Sequence, residues 1–238
     1  MSSPTWCVAA CLAQAKRIEA VDAYLDITLL PDPEFPPAML MNALFAKLHR
    51  GLVGQGGNAV ELVPPPHEGR LGGGQSNASE ILDSTALGWG QPIGISFPEV
   101  KDTALGGRLR LHGQTAELEA FMSTAWLAGM RDHLKLGSIG PVPPHAKYRV
   151  VRRVQAKSNP ERLRRRMMAR KGVDAELARQ SIPDSMAERL RLPYLVLKSQ
   201  STGQQFRLFV EHLPLQGQPI DGLFSAYGLS HTATVPWF

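Results

Sequence analysis

Apolar and polar residues alternate through "AYLDITLLP" and the pattern stops at Pro31, which predicts a half-buried strand. After the stiff connector "PDPEFPP", apolar residues fall at Leu40, Met41, Leu44, Leu48 and Leu52, the spacing of one helical face, and glycines close the run. Two shorter strand-like runs follow, "PIGISFPEV" and "GGRLRLHG", then a helical pattern over "AELEAFMSTAWLAGMRDHL" and an extended stretch near "GSIGPV". Strand, helix, strand, strand, helix, strand is the order of a ferredoxin-like βαββαβ unit. Between residues 58 and 90 the periodicity lapses into "VPPPHEGRLGGGQSNASE", whose Pro, Gly and small polar residues predict a long surface insertion, partly disordered. Its "GGGQSN" lacks the Gly-Lys-Ser/Thr ending of a phosphate loop.

"PVPPH" breaks the chain near residue 143. Beyond it, "YRVVRRVQ" alternates as a strand and a helix rich in arginine follows. "DAELARQSI" and "DSMAERL" predict short helices, a hairpin turns around Ser201–Gln204, and "GLFSAYGLS" and "VPWF" close the chain. The expected class is α+β. Residues 1–21 form an N-terminal extension, 22–143 a ferredoxin-like domain with its long loop insertion at about 58–90, and 144–238 a C-terminal α/β region carrying the arginine-rich helix.

Composition narrows the classes. A hydrophobic content of 43% with 20% charged residues belongs to a soluble globular protein. No apolar run approaches the roughly 18–20 residues of a membrane span. "TWCVAACLAQA" resembles a signal-peptide core, yet Lys16 and Arg17 follow it instead of a charge preceding it, so secretion is not expected. Cys7 and Cys11, the only cysteines, have no second Cys or Cys/His pair to complete a zinc site, and they fit a reducing cytoplasm. No carboxylate cluster or His-Glu-x-x-His pattern calls for a metal, and no cofactor is implied.

Charge is concentrated. The whole chain carries +5, while Lys147–Lys171 holds eleven Lys/Arg and one Glu. Asn159 and Pro160 suit an N-cap and first helical position. From there Arg162, Arg165, Arg166, Ala169 and Arg170 share an arc of about 140°, with Leu163 and Met167 as an apolar edge to hold the helix. A solvated charged face would interleave glutamates, and only Glu161 does so. Arginine forks suit phosphates and base edges, so a polyanion is the expected partner.

Four stretches in order, "YLDITLLPDPEFPPAMLMNALFAKLH", "RVQAKSNPERLRRRMM", "KSQSTGQQFRLFVEH" and "YGLS…VPWF", resemble the CRISPR repeat-processing endoribonucleases of type I-F systems. The resemblance covers Tyr24–Phe238 apart from the 58–90 stretch. It implies binding of a stem-loop in precursor CRISPR RNA and a metal-independent cut at the hairpin's 3′ base. There the ribose 2′-OH attacks the adjacent phosphate and leaves a 2′,3′-cyclic phosphate and a 5′-OH. It also implies retention of the product beside other protein subunits of the surveillance complex. By position, it assigns catalysis to His49, Ser199 and Tyr227, and base reading to Arg153 and Gln155. Stacking under the terminal base pair falls to Phe206, and groove contacts to Arg165, Arg166 and Arg170. A further groove arginine of the family is Ala169 here, with Lys171 after it and Arg162 able to compensate in part. A hairpin-binding assembly subunit that has lost cleavage is the alternative.

The residues alone say less. His49 falls roughly 110° from the centre of its helix's apolar face, where a half-exposed structural histidine is common, and His212 and His231 are rivals. Ser199 belongs to a turn that favours hydroxyl residues in any case. Tyr227 suits a packed tyrosine, and Phe206 alternates with Leu208 and Val210 as a core residue would. Arg153 and Gln155 leave one strand face inside the basic region, where arginine can read guanine and glutamine adenine.

Overall fold

The computed structural model describes residues 21–54, 90–155, 160–184, 190–199 and 203–238, apart from the side chain of Arg162. The 1–21 extension, except for Val21, the 58–90 insertion, except for Gly90, Asn159, the middle of "DSMAERL" and the tip of the predicted hairpin lie outside the described residues.

The chain is a mixed α/β protein with two antiparallel sheets and four helices among the described residues. Strand β1 (Ala23–Leu29) alternates buried and half-buried positions, as its sequence predicts, and helix α1 (Pro37–Gly54) buries Leu40, Met41, Leu44, Leu48 and Leu52 together with Phe45. Strands β2 (Gly94–Ser96) and β3 (Arg108–Gly113) follow, then helix α2 (Thr115–Met122), β4 (Leu134–Leu136) and the two-residue β5 (Gly140–Pro141). The first sheet runs β2-β3-β1-β4, with β5 beside β1.

The long helix expected over residues 116–134 is corrected to α2 alone. Ser123 Oγ and Thr124 Oγ1 donate to the carbonyls of Ala120 and Phe121 at the helix end, and Gly129 takes a positive φ of 74°. Hydroxyls that bond the local backbone compete with helix continuation. Trp126 then folds back to stack on Phe121 with ring centroids 5.0 Å apart. A short 3₁₀ turn at Arg131–His133 leads into β4, so the fourth strand starts at the last residue of the expected helix.

The second sheet comes from the last third of the chain: β6 (Lys147–Val154), β7 (Tyr194–Lys198), β8 (Gln205–His212) and β9 (Thr234–Trp237), in the order β7-β8-β6-β9. Between β6 and β7 lie α3 (Pro160–Lys171) and α4 (Ala175–Ser181), which pack on each other. Asp174 caps α4, its carboxylate accepting from the Leu177 N–H at 2.7 Å.

One apolar core runs through both sheets, from Leu25 and Ile27 through Leu44 and Leu48 to Leu197, Leu208 and Val210. α1 packs against β7, and Asn42 Oδ1 accepts from the Val196 N–H at 3.0 Å. The C-terminal end of α1 thereby meets the loop that precedes β9, and the candidate site lies at that meeting.

Candidate RNA-binding and catalytic site

His49 lies on the edge of α1 beside the buried Leu48, and its half-buried ring turns towards the loop between β8 and β9. That loop makes a tight turn at Ser225–Gly228, closed by the Gly228 N–H to Ser225 carbonyl bond of 2.8 Å. Gly228 has φ +71°, and a Cβ there would sit 2.7 Å from Ile95 Cγ2. Only glycine meets both demands. The turn is anchored on β2 by the Ile95 N–H, which donates to the Gly228 carbonyl at 2.9 Å.

The turn presents two groups to His49. The Ala226 carbonyl lies 2.8 Å from Nδ1, and the Tyr227 ring stacks on the imidazole with centroids 4.2 Å apart and planes 12° from parallel. A carbonyl only accepts, so Nδ1 carries the proton. In the neutral ring Nε2 therefore holds the lone pair. The Phe45 ring also lies nearly parallel to Tyr227, with centroids 6.4 Å apart and planes at 9°.

Burial is the largest influence on His49 and pushes its pKa below the usual 6.5. The hydrogen bond to Ala226 works the other way, and the positive charges of Arg50 and Arg153 add to the lowering. The net result favours the neutral ring, the form able to take a proton.

Arg153 arrives from the second sheet. It pairs with Val210 across β6 and β8, and directly paired residues share a face, so its side chain leaves the core face of the sheet. Its guanidinium lies 5.3 Å from the Tyr227 ring centroid and 5.9 Å from that of Phe206. Its Nε is shut off from solvent and has no acceptor among the described residues. Phe206, opposite Leu197, is half-buried beyond the fully buried Leu208 and Val210. The alternation that marks a core face thus ends at the sheet margin in a partly open ring.

The structure thus joins His49, Tyr227, Arg153 and Phe206 through direct contacts. Ser199 stands just past β7, where its N–H donates to the Gln204 carbonyl at 2.8 Å and its own carbonyl accepts from Gly203 at 2.9 Å. Gln155 is exposed, one residue beyond β6. On α3, Arg165, Arg166, Ala169, Arg170 and Lys171 are exposed while Leu163 and Met167 are half-buried. Arg162 lies in the same helix. Arg164 is different: its Nε donates to the Ile182 carbonyl at 2.8 Å and its terminal nitrogen pairs with Asp184 at 2.6 Å, which fastens α3 to the segment after α4.

The rival histidines have other places. His212 is wedged between Phe97 and Trp237, its pKa lowered to about 4 by burial and then by Arg149, and His231 is exposed in the closing loop. Sequence reasoning missed the Ala226 carbonyl and the Gly228 turn. The signal was present in "SAYG", a serine three residues before a glycine, which is a common turn signature.

Comparison with known proteins corrects the expected extent of the resemblance: it takes in most of the 58–90 stretch as well. The family model described as "CRISPR-associated protein (Cas_Csy4)" matches residues 24–76 and 80–238. The chain is 47% identical over 220 residues to a protein of Pseudomonas aeruginosa (strain UCBPP-PA14) named CRISPR-associated endonuclease Cas6/Csy4. It is 41% identical over 220 residues to a protein of the same name from Escherichia coli (strain UTI89 / UPEC). Each alignment covers 92% of this chain and 100% of the relative.

Proposed function

Because the chain belongs to the Cas_Csy4 family of CRISPR-associated proteins, we propose that it is an endoribonuclease that matures CRISPR RNA by binding a repeat hairpin and cutting at its 3′ base. One observation carries this reading. His49 donates Nδ1–H to the Ala226 carbonyl, which leaves Nε2 as a proton acceptor beside Tyr227 and beneath an arginine with an unmatched donor.

In this reading Nε2 of His49 takes the proton of a ribose 2′-OH. The freed oxygen attacks the adjacent phosphorus, the 5′ oxygen departs and takes a proton, and the products are a 2′,3′-cyclic phosphate and a 5′-OH. A well-placed base contributes about 10²–10⁴-fold to such a step. Ser199 and Tyr227 orient the ribose, so that the attack is in line. No metal or cofactor takes part.

Arg153 and Gln155 read guanine and adenine edges through paired hydrogen bonds. Phe206 stacks under the last base pair of the stem. The exposed Arg165, Arg166 and Arg170, with Arg162 and Lys171, line the groove and its phosphates. An A-form duplex keeps side chains out of its deep groove along its length, but the groove opens where the stem ends. Ala169 weakens one phosphate contact without abolishing binding. The product hairpin stays bound, and the protein works in the cytoplasm beside other subunits of a type I-F surveillance complex.

The first sheet with α1 and α2 is read as the ferredoxin-like unit within 22–143, supported by its antiparallel order β2-β3-β1-β4. The region 144–238 serves as the RNA-recognition part.

The test is a repeat hairpin, end-labelled and incubated in excess EDTA with the protein and with His49→Ala. A single cut at the stem base with a cyclic-phosphate end, lost in the variant while binding remains, is the expected result. Tight binding with no cut by either protein would replace the nuclease reading with that of an assembly subunit.

A further inference from the structure

A second basic feature lies on α1, away from the arginine helix. Lys47, Arg50, Gly51 and Gly54, on the last turns of α1, line an open groove of about 410 Å³ with Thr124 and Trp126. The groove is built by a close approach. A Cβ on Gly51 would lie 3.0 Å from a Phe121 ring carbon and 3.1 Å from Trp126 Cβ. Glycine inside a helix is otherwise unfavourable, so this one lets the Trp126 loop close on the helix.

Its polar groups are nearly all donors. Lys47 Nζ donates to the Ala128 carbonyl at 2.6 Å and keeps two further N–H groups. Arg50 is exposed and makes no ion pair among the described residues. The indole Nε1 of Trp126 is shut off from solvent and has no acceptor among the described residues. Among the described residues, no carboxylate lines the groove. Two cations with no carboxylate beside them among the described residues call for an anion with several oxygens, and a run of phosphodiesters supplies them.

The location says which part of the RNA. Arg50 follows His49 in sequence, stands about 100° around the helix from it and is itself part of the groove wall. Phe206 and Arg153 approach the His49 corner from the second sheet, whereas the groove belongs to the first. A strand that leaves the cutting point away from the stem therefore passes Arg50 and reaches the groove.

We propose that the Lys47–Arg50–Trp126 groove holds the backbone of the single-stranded RNA that runs 3′ from the cut, the flank that departs on cleavage. This rests on the ribonuclease reading above and extends it to a second contact with the precursor. The groove contacts phosphates and so favours any flank over none, without regard to sequence.

Two hairpins test it, one ending a single nucleotide past the cut and one carrying about ten unpaired nucleotides there. Both are made uncleavable for binding by a 2′-deoxy sugar at the cut, and cleavable for rates. The protein should bind the long-flank hairpin roughly three- to tenfold more tightly at low salt, an advantage that shrinks as salt rises. Lys47→Gln should remove most of that advantage. Trp126→Phe, which keeps the ring on Phe121, should leave it in place, because the indole N–H is closed to a ligand in the groove. Neither should change binding or cleavage of the short-flank hairpin. The proposal is overturned if the advantage survives in Lys47→Gln, if no advantage exists, or if both substrates suffer equally in that variant. Failure to cut the short-flank hairpin at all would instead remove the ribonuclease reading on which the proposal stands.

Discussion

His49 combines two opposing demands on one ring. As a base it must be neutral, and burial with two nearby guanidinium groups lowers its pKa below 6.5, against the pull of the Ala226 carbonyl. The neutral form acts, so kcat/KM should rise with pH through a value below 6.5 and stay level at neutrality. Arg50→Met removes one of the charges, and the acid limb should move up towards the ordinary histidine value. A wild-type limb above 6.5 would mean that His49 acts in another protonation state. Gly228 supports the same ring through the backbone. Gly228→Ala would strain a positive φ and press a methyl against Ile95, with a loss of about 1–3 kcal/mol in stability and a fall in cleavage as Ala226 and Tyr227 shift. Urea unfolding beside single-turnover cleavage measures both. Much of this corner was hidden in the sequence. A wheel put His49 at the border of an apolar face, but the carbonyl that orients it comes from 177 residues away. Periodicity carries no information at that separation.

At the scale of elements, period alone located β1, α1, β7 and β8, because each buries a regular face in one core; β6 was located too, although it buries the adjacent Val150 and Val151. It overran α2, because apolar residues after Met122 still recur at helical spacing while Ser123, Thr124 and Gly129 turn the chain. The arginine helix shows a subtler limit. Sequence counts its cations, whereas the structure separates Arg164, tied to Ile182 and Asp184, from the exposed Arg165, Arg166 and Arg170. The difference predicts different phenotypes. Replacing Arg165 and Arg166 together by Ala should weaken hairpin binding and flatten its salt dependence, with the melting temperature nearly unchanged. Arg164→Ala should lower stability by about 1 kcal/mol through the docking of α3. Titration of hairpin RNA at several salt concentrations, beside thermal melts, separates the two. Equal salt slopes in the double variant and the parent would place the partner elsewhere.

The whole molecule hangs on a core shared by two sheets, and two neutral histidines are built into it. His112 is completely buried, with Nε2 2.8 Å from Ser96 Oγ, and burial and then Arg110 hold its pKa well below 6.5. His212 sits between rings of both sheets, with its pKa lowered to about 4. Above about pH 6.5 each is neutral whether the chain is folded or not, and neither contributes a pH dependence. Below that value the unfolded chain takes up protons that the folded core excludes, so stability falls as pH falls. For His212 the loss runs from about 6.5 down to about 4 and is of order 3 kcal/mol at most. The Asp32 carboxylate, lowered by the N–H groups of Glu34 and Phe35, adds its share only below 3.8. The protein should therefore lose stability as pH falls from about 6.5 towards 4. Urea unfolding across that range measures the loss, and His212→Phe, an aromatic for the slot between Phe97 and Trp237, should make the slope shallower. A slope unchanged in that variant, with His112 intact, would assign the whole acid sensitivity to the histidine beneath the first sheet.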